Sequence, residues 1–515
     1  MKKLYTHLYR FGFYLFCALA ILIEILAIIL FFIFLADKAP FLWTLVGLIY
    51  IGSILSIINR NTAPENKVTW LVIIFVLPGV GSLFYLMFFE RRIDKTERQH
   101  FKKIENRALR HVLPPQEHPI LAKLQQTDPT TYNHLHALLT IDPSAQPYQE
   151  TQASYFALGE DLWQQLLQDL RTAKHFIFME YYIVELGQMW DAILAILLEK
   201  VAEGVEVRFL YDDIGCMVTL PNDYDNHLRQ LGITAAKFNR MSPRASVVYN
   251  NRSHRKMTII DGQIGYTGGI NLADEYINAI ERFGHWKDGG MRLEGQAVQG
   301  LTKLFLLNWD INSIEVSDFN HYQNMTQPVD SDGAIYVPYG SGPKPIYPRP
   351  VGKIVYLNLL KLAKHYVYIT TPYLIIDYDL TEDLKNAALR GVEVIILMPF
   401  IADKPLIQIV NRSAYDELRG AGVRIFEYTP GFIHSKNFVV DDIYGVIGTI
   451  NLDYRSLVHH YENAVFMYNS PVILDSKKDF LEALSVSQEI FDDTLKISKR
   501  HKLIKGIVEV FAPML

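Results

Sequence analysis

One polar pattern occurs twice in this chain. "HRKMTIID" begins at His254 and "HSKNFVVD" at His434; both read His-x-Lys, four residues, Asp, and they lie 180 residues apart (434 − 254). Downstream, "GQIGYTGGIN" and "DIYGVIGTIN" put Asn271 and Asn451 at one offset. The repeat extends around the motif. "AKHFIFMEYYI" at 173 parallels "AKHYVYITTPYLI" at 363, "GVEVRFLYD" at 204 parallels "GVEVIILMP" at 391, and "LRQLGI" at 228 parallels "LRGAGV" at 418. Internal similarity on this scale commits the chain to two copies of one folding unit.

Each copy runs in one order. An amphipathic helix ("DLWQQLLQDLRTAK"; "VYLNLLKLAK") precedes an apolar strand, a helix, a second strand ("VEVRFLY"; "VEVIILM"), a further helix and the motif strand. Strands alternating with helices predict an α/β fold, two pseudo-symmetric lobes whose mixed sheets are covered by helices. The Pro-rich end of "SDGAIYVPYGSGPKPIYPRP" (331–350) marks the junction, giving lobes over 151–330 and 331–495. Residues 111–150, rich in Pro, His, Gln and Thr, read as a linker with some local structure.

Alternation along a strand turns His254 and Lys256 to one face and Met257 and Ile259 to the core; His434 and Lys436 repeat this. Glycines (Gly268, Gly269; Gly448) precede each Asn, where backbone can approach a ligand closely. Two lysines, two amides and two imidazoles facing one axis make a cationic, donor-rich cavity suited to a phosphodiester. Lys256, Lys436, Asn271 and Asn451 would hold its non-bridging oxygens. One imidazole would attack phosphorus; the opposite one would protonate the departing alcohol and deprotonate the next. Asp261 and Asp441 are expected to orient the imidazoles. No cofactor is expected, and a metal centre fits poorly because Lys is a poor ligand. One copy alone would be equally consistent with a surface strand; two copies with matching Gly and Asn inside a duplication are not.

Hydrophobic residues make up 50% of the chain against 20% charged, and the first ninety residues raise that average. Apolar runs cover 11–35, with Glu24 as its one charge, 41–58 and 70–89. About 20 apolar residues cross a bilayer. A cleaved signal peptide is the competing reading of the first run, but the length of that run and the lack of a small-x-small site after it favour a retained anchor. Lys2, Lys3 and Arg10 precede the runs and eight Lys or Arg fall between 91 and 110, whereas the loops hold only Lys38, Arg60 and Lys67. The positive-inside rule then puts both ends in the cytoplasm, which three crossings cannot do. The third run, with Pro78, Gly79 and Gly81, is expected to break; three full spans with outward lobes are the alternative. Residues 1–110 thus read as a membrane domain plus a basic juxtamembrane segment, which is either a solvated helix face or a contact for anionic headgroups. The tail 496–515 reads as amphipathic, lying in the interface or packing on the core. Two cysteines, Cys17 and Cys216, make no disulfide framework, which suits a cytosol-facing protein.

The stretches "FLYDDIG", "NRSHRKMTIIDGQIGYTGGINLADEY" and "EYTPGFIHSKNFVVDDIYGVIGTINLDYRS", with "LPGVGSLFYLMFF" near the start, resemble the phospholipase D superfamily and, within it, the bacterial cardiolipin synthases, over nearly the full length. The resemblance implies transfer of a phosphatidyl group between two phosphatidylglycerol molecules, giving cardiolipin and glycerol through a phosphohistidine. His254, Lys256, Asp261, His434, Lys436 and Asp441 would carry the site, with His254 as nucleophile and His434 as acid, and Asn271 and Asn451 as phosphate contacts. It further implies a multi-pass protein of the bacterial cell membrane with cytoplasmic lobes, whose partners are phosphatidylglycerol and anionic lipids. Thr449 stands where Ser is frequent in the superfamily, Cys216 where Ser is expected, and His460, two before Glu462, where Asn is usual. His175 and His365 read as surface residues. Exchange of one phosphodiester for another is nearly isoenergetic, so no nucleotide is called for. A hydrolase of phosphatidyl lipids, or a transferase using another headgroup donor, is the alternative. A nuclease would carry a basic surface rather than an anchor with net charge −5, and a non-enzymatic scaffold would tolerate loss of a His or Lys that both copies keep.

Overall fold

The structure, a computed structural model, describes residues 40–60, 64–77, 79–88, 95–110, 112–240, 251–312, 316–323 and 326–491, with isolated positions besides. The apolar run 11–35 and the tail 496–515 lie outside the described residues apart from such positions. The chain divides into two compact units. One contains residues 1–94, 241–250 and 506–515; the other contains 95–240 and 251–505.

In the first unit, helices cover Pro40–Asn59, Pro64–Val76 and Val80–Phe88. The third apolar run is broken, as its Pro-Gly pair predicts: the chain turns at Gly79, whose φ of +83° suits glycine. Ile57, Ile74 and Tyr85 form a small core, and Tyr85 hydrogen-bonds Ser56 at 3.0 Å. Large apolar side chains also face outward, among them Phe41 (72% exposed), Leu48 (64%) and Val76 (69%). Among the described residues no helix is long and apolar enough to cross a membrane, so the expected multi-pass segment is not seen there.

The second unit holds two sheets. The first contains β1 (Thr151–Phe156), β2 (Phe176–Tyr181), β3 (Glu206–Asp212), β4 (Thr234–Phe238), β5 (Lys256–Ile260), β6 (Ile264–Gly268) and β8 (Gly290–Gly295), in the order β1-β8-β6-β5-β2-β3-β4; the short β7 (His285–Lys287) lies outside it. The second contains β9 (Ile335–Ser341), β10 (Tyr366–Thr370), β12 (Glu393–Pro399), β13 (Arg424–Tyr428), β15 (Asn437–Val440), β16 (Tyr444–Gly448), β18 (Glu462–Tyr468) and β19 (Ser487–Glu489), in the order β19-β13-β12-β10-β15-β16-β18-β9. Short strands β11 (Leu374–Ile375), β14 (Gly431–Ile433) and β17 (Leu452–Asp453) stand apart from it. Six neighbours in each sheet correspond: β8-β6-β5-β2-β3-β4 matches β18-β16-β15-β10-β12-β13. The mixed α/β character and paired lobes expected from the repeat are therefore present.

The pattern of side chains explains the layers. β2 is buried at every position and, apart from Glu180, which accepts from Ser253 Oγ and Asn308 Nδ2, reads as an apolar run, as a strand covered on both faces should. Helix Gly159–Thr172 lays Leu162, Leu166 and Leu170 on the first sheet, one every turn, with Glu160 and Asp161 at its positive end and Arg171 at its negative end. The lobes share one core, which runs from Phe176 and Met257 through Phe305 to Val446 and Phe466. Arg255, the middle residue of the first His-x-Lys, points into this shared interior. It is fully buried and donates to Glu462 O (3.1 Å), Leu304 O (2.7 Å) and the Tyr347 hydroxyl (2.9 Å).

Backbone hydrogen bonds also cross between lobes beside each motif. His254 N donates to Tyr461 O at 2.9 Å, and His434 N to Lys287 O at 2.7 Å. β14, immediately before His434, pairs in parallel with β7 of the first lobe.

Candidate active site

Each motif histidine is held by a carboxylate from the opposite lobe. His254 Nδ1 lies 2.9 and 3.1 Å from the two oxygens of Glu462, on β18. His434 Nδ1 lies 2.6 Å from Asp288 Oδ2, between β7 and β8. The two acids are equivalent in the repeat, because each precedes the residue whose carbonyl accepts from the backbone after the motif hairpin: Gly269 N to Gly289 O, Thr449 N to Asn463 O. Against a carboxylate, Nδ1 carries the proton, which leaves the Nε2 lone pair free.

The two carboxylates are set differently. Glu462 also accepts from the Thr449 hydroxyl, and its pKa is held below the usual range: burial would raise it, but His254 outweighs burial. Asp288 accepts from Gly289 N at 2.9 Å, and burial pushes it up to about 6 against the pull of Lys436. Gly269 makes room for that carboxylate, since a Cβ there would meet Asp288 Oδ1 at 2.1 Å. Both imidazoles are buried and favour the neutral form, His254 through burial that Glu462 only partly offsets, His434 through burial and Lys436. Their surroundings also differ. His434 sits among Tyr276 (5.6 Å between rings), Trp286 (5.6 Å) and Phe432 (5.8 Å), whereas His254 meets Tyr182 (4.9 Å) and His460 (5.4 Å).

Lys256 and Lys436 each donate to the carbonyl of their own motif histidine. Burial lowers Lys256 to about 7 and Lys436 to about 8. Lys256 feels Glu462, Lys436 and Asp288, and Lys436 feels Asp288 and Glu462, so the charges of the two half-sites act on one another. Asn271 receives Ile183 N on its oxygen (3.1 Å) and donates to Tyr276 (2.6 Å); Asn451 donates to Asp453 (3.0 Å). An amide nitrogen bears two hydrogens, so each Asn has a second one to offer.

Asp261 and Asp441 differ from expectation. Neither reaches an imidazole. Asp261 accepts from the amides of Lys174, His175 and Phe176 (2.7–2.8 Å), and Asp441 from Lys364, His365 and Tyr366 (2.7–2.9 Å). Both stand in the turn after the motif strand at φ 54°, and a rise of about 3.3 Å per residue puts them roughly 16 Å beyond the motif lysine. They staple the far end of β5 and β15 to the start of β2 and β10. Asp261→Ala should therefore cost about 2–5 kcal/mol of stability, since three amides lose a charged acceptor. Activity per folded molecule should stay within a few-fold of wild type, checked by urea melts and active-site titration.

Three further groups were not visible as site residues in the sequence. Asp288 and Glu462 are two. Asp212 is the third: it takes Arg252 Nε at 2.9 Å and Ser253 N at 3.0 Å, and so fixes the approach to His254. Cys216 is structural. Its buried sulfur receives Val184 N at 3.2 Å, and burial pushes the thiol well above its ordinary value. His175 and His365 are exposed, as expected.

Similarity to known proteins follows the same organisation. The family profile described as "Cardiolipin synthase, PLD-like domain" matches residues 166–281 and 356–484, and the one described as "Phospholipase_D-nuclease N-terminal" matches 48–88. A cardiolipin synthase of Halalkalibacterium halodurans is 32% identical over 483 residues, 91% of this chain and 92% of that one. A cardiolipin synthase of Staphylococcus aureus is 32% identical over 477 residues, 89% and 94% of the two chains. An uncharacterized protein of Streptococcus mutans is 40% identical over 469 residues, 90% of this chain and 100% of that one. The crystal structure of the phosphatidylserine synthase of Haemophilus influenzae shares the fold, with TM-score 0.56 at 14% identity over 75% of this chain and 98% of that one.

Proposed function

The chain belongs to the bacterial cardiolipin synthases of the phospholipase D superfamily and is a phosphatidyltransferase; from that premise we propose that it joins two phosphatidylglycerol molecules into cardiolipin, releasing glycerol. The observation that carries the mechanism is the reciprocal pairing of each imidazole with a carboxylate of the other lobe. In the first step Nε2 of neutral His254 attacks phosphorus and the bond from phosphorus to the headgroup oxygen breaks. His434 must enter this step as the imidazolium, against the neutral form its burial favours, so that Nε2–H gives that oxygen a proton while Nδ1–H stays on Asp288. In the second step a hydroxyl of another phosphatidylglycerol returns a proton to His434 while its oxygen attacks phosphorus and the P–N bond breaks. Electron pairs and protons balance over the cycle, so no cofactor enters it.

Glu462 favours His254 as the nucleophile. Positive charge builds on the ring as the P–N bond forms, and an ionised carboxylate at Nδ1 stabilises it; Asp288, at about 6, does so less. Lys256, Lys436, Asn271 and Asn451 face the non-bridging oxygens. Each ammonium must be charged to do so. kcat/KM should consequently fall as pH rises through the range from about 7 to about 8, where Lys256 and Lys436 lose their protons. A pH–rate profile checks this, and Lys256→Arg should move the start of the fall from about pH 7 to about pH 8.

The outward apolar side chains of the first unit, with the run 11–35, support anchoring in the bacterial cell membrane as a multi-pass segment with cytoplasmic lobes. Supply of a lipid alcohol at the surface would then favour transfer over capture of water. The test is turnover of phosphatidylglycerol in mixed micelles with a chelator present. Cardiolipin and glycerol should appear in equal amounts; phosphatidic acid as sole product would mean a hydrolase.

A further inference from the structure

His460 has no assigned part in the transfer. Its ring is buried, 6% exposed, and neither ring nitrogen has a hydrogen-bond partner among the described residues. An orphaned polar group in the interior is destabilising, so a ligand that satisfies it is the economical explanation. The equivalent position in the first lobe is Trp286, whose indole offers no lone pair; only this half-site carries a second imidazole.

Geometry identifies the ligand class. His254 Nδ1 and His460 Nδ1 lie 2.9 and 3.7 Å from the same oxygen of Glu462, Oε1. The ligand atoms of the three residues all fall within 4.8 Å of one another. Four-coordinate Zn²⁺ with bonds of about 2.0–2.1 Å sets neighbouring ligand atoms roughly 3.3 Å apart, between the two distances to Oε1. Two imidazoles and one carboxylate, with a fourth position for water or a phosphate oxygen, are donors for Zn²⁺ or Co²⁺ rather than for Mg²⁺, which prefers an all-oxygen shell.

We propose that His254, His460 and Glu462 form an inhibitory site for a transition-metal dication of the Zn²⁺ class. The inference rests on the assignment of His254 as nucleophile. Occupation takes the Nδ1 lone pair of His254, so the single proton of the neutral ring moves to Nε2. Nε2–H has no lone pair with which to attack phosphorus. Glu462, now bound to the metal, no longer selects the productive tautomer. No electron is transferred, and removal of the metal restores the starting state.

The experiment uses the full chain in detergent micelles, stripped with EDTA and titrated with Co²⁺. One equivalent per chain should give the visible bands of four-coordinate Co²⁺, absent from His460→Phe and retained in Cys216→Ser. Zn²⁺ should inhibit cardiolipin formation, EDTA should reverse it, and His460→Phe should raise the half-inhibiting Zn²⁺ concentration by at least about tenfold. Absence of the Co²⁺ bands in the wild type overturns the proposal, as do bands and inhibition that persist in His460→Phe. Where that variant does not accumulate, His460→Asn replaces it, and the wild-type spectrum decides in any case. The spectrum needs no turnover. A chain that makes no cardiolipin would therefore sink the functional reading and leave metal binding to be judged separately.

Discussion

His254→Ala should lower cardiolipin formation by about 10⁴-fold or more, because it removes the atom that bonds to phosphorus in the intermediate. His434→Ala should be similarly inactive on phosphatidylglycerol, whose glycerol oxygen needs a proton in order to leave. The two variants part when the leaving group no longer needs that proton. With a phosphatidyl ester of p-nitrophenol, His434→Ala should release one equivalent of nitrophenol and stall as a covalent adduct, since nothing then activates the acceptor alcohol. His254→Ala should release none. Intact-mass measurement at alkaline pH, where a phosphoramidate survives, should find the phosphatidyl group on His434→Ala and not on His254→Ala. The reverse pattern would exchange the roles, and loss of the burst from neither variant would remove histidine from the covalent step.

Glu462→Gln should reduce kcat by about 10²–10⁴-fold with the fold intact, the span usually associated with a mispositioned acid–base group. The amide keeps nearly the shape of the carboxylate. It lacks the charge that stabilises the imidazolium form of His254, and its NH₂ can donate to Nδ1, which moves the ring proton to Nε2. Asp288→Asn should be milder near pH 6, where Asp288, pushed up to about 6, already carries less than full charge, and the gap should narrow as pH rises above 7. Adding Glu462→Gln to His254→Ala should cost almost nothing further, since the pair acts as one unit. Steady-state kinetics beside thermal melts would show this; a Glu462→Gln enzyme within threefold of wild type would rule out the orienting role.

Much of the architecture was legible in the sequence because the repeat fixes the order of elements and the apolar strands announce themselves. The motif lysines and histidines were legible for the same reason. The orienting acids were not. Asp288 follows Asn271 by 17 residues and Glu462 follows Asn451 by only 11, so an aligned repeat does not superimpose them, and their partners lie in the other lobe. The signal available was the pair "WKDGG" and "HYENA", each with an acid just before the strand that flanks the motif hairpin. Asp261 and Asp441 were misplaced for a reason the strand period could have corrected. Seven residues beyond the histidine is an odd interval, which turns the side chain to the opposite face. Burial of Arg255 follows from the same alternation, which puts 255 on the core face with Met257 and Ile259, but its charge argues the other way, because arginine is seldom fully buried unless paired.

The crossed carboxylates are what an exact two-fold dimer of single-motif chains would display, each subunit lending its acid to the other's imidazole. A tandem fusion of such a chain would inherit a working centre without rebuilding it. Halves joined in one chain are released from identity. Gly269 with a short acid and Thr449 with a long one, or indole at 286 against imidazole at 460, are differences that no homodimer could hold.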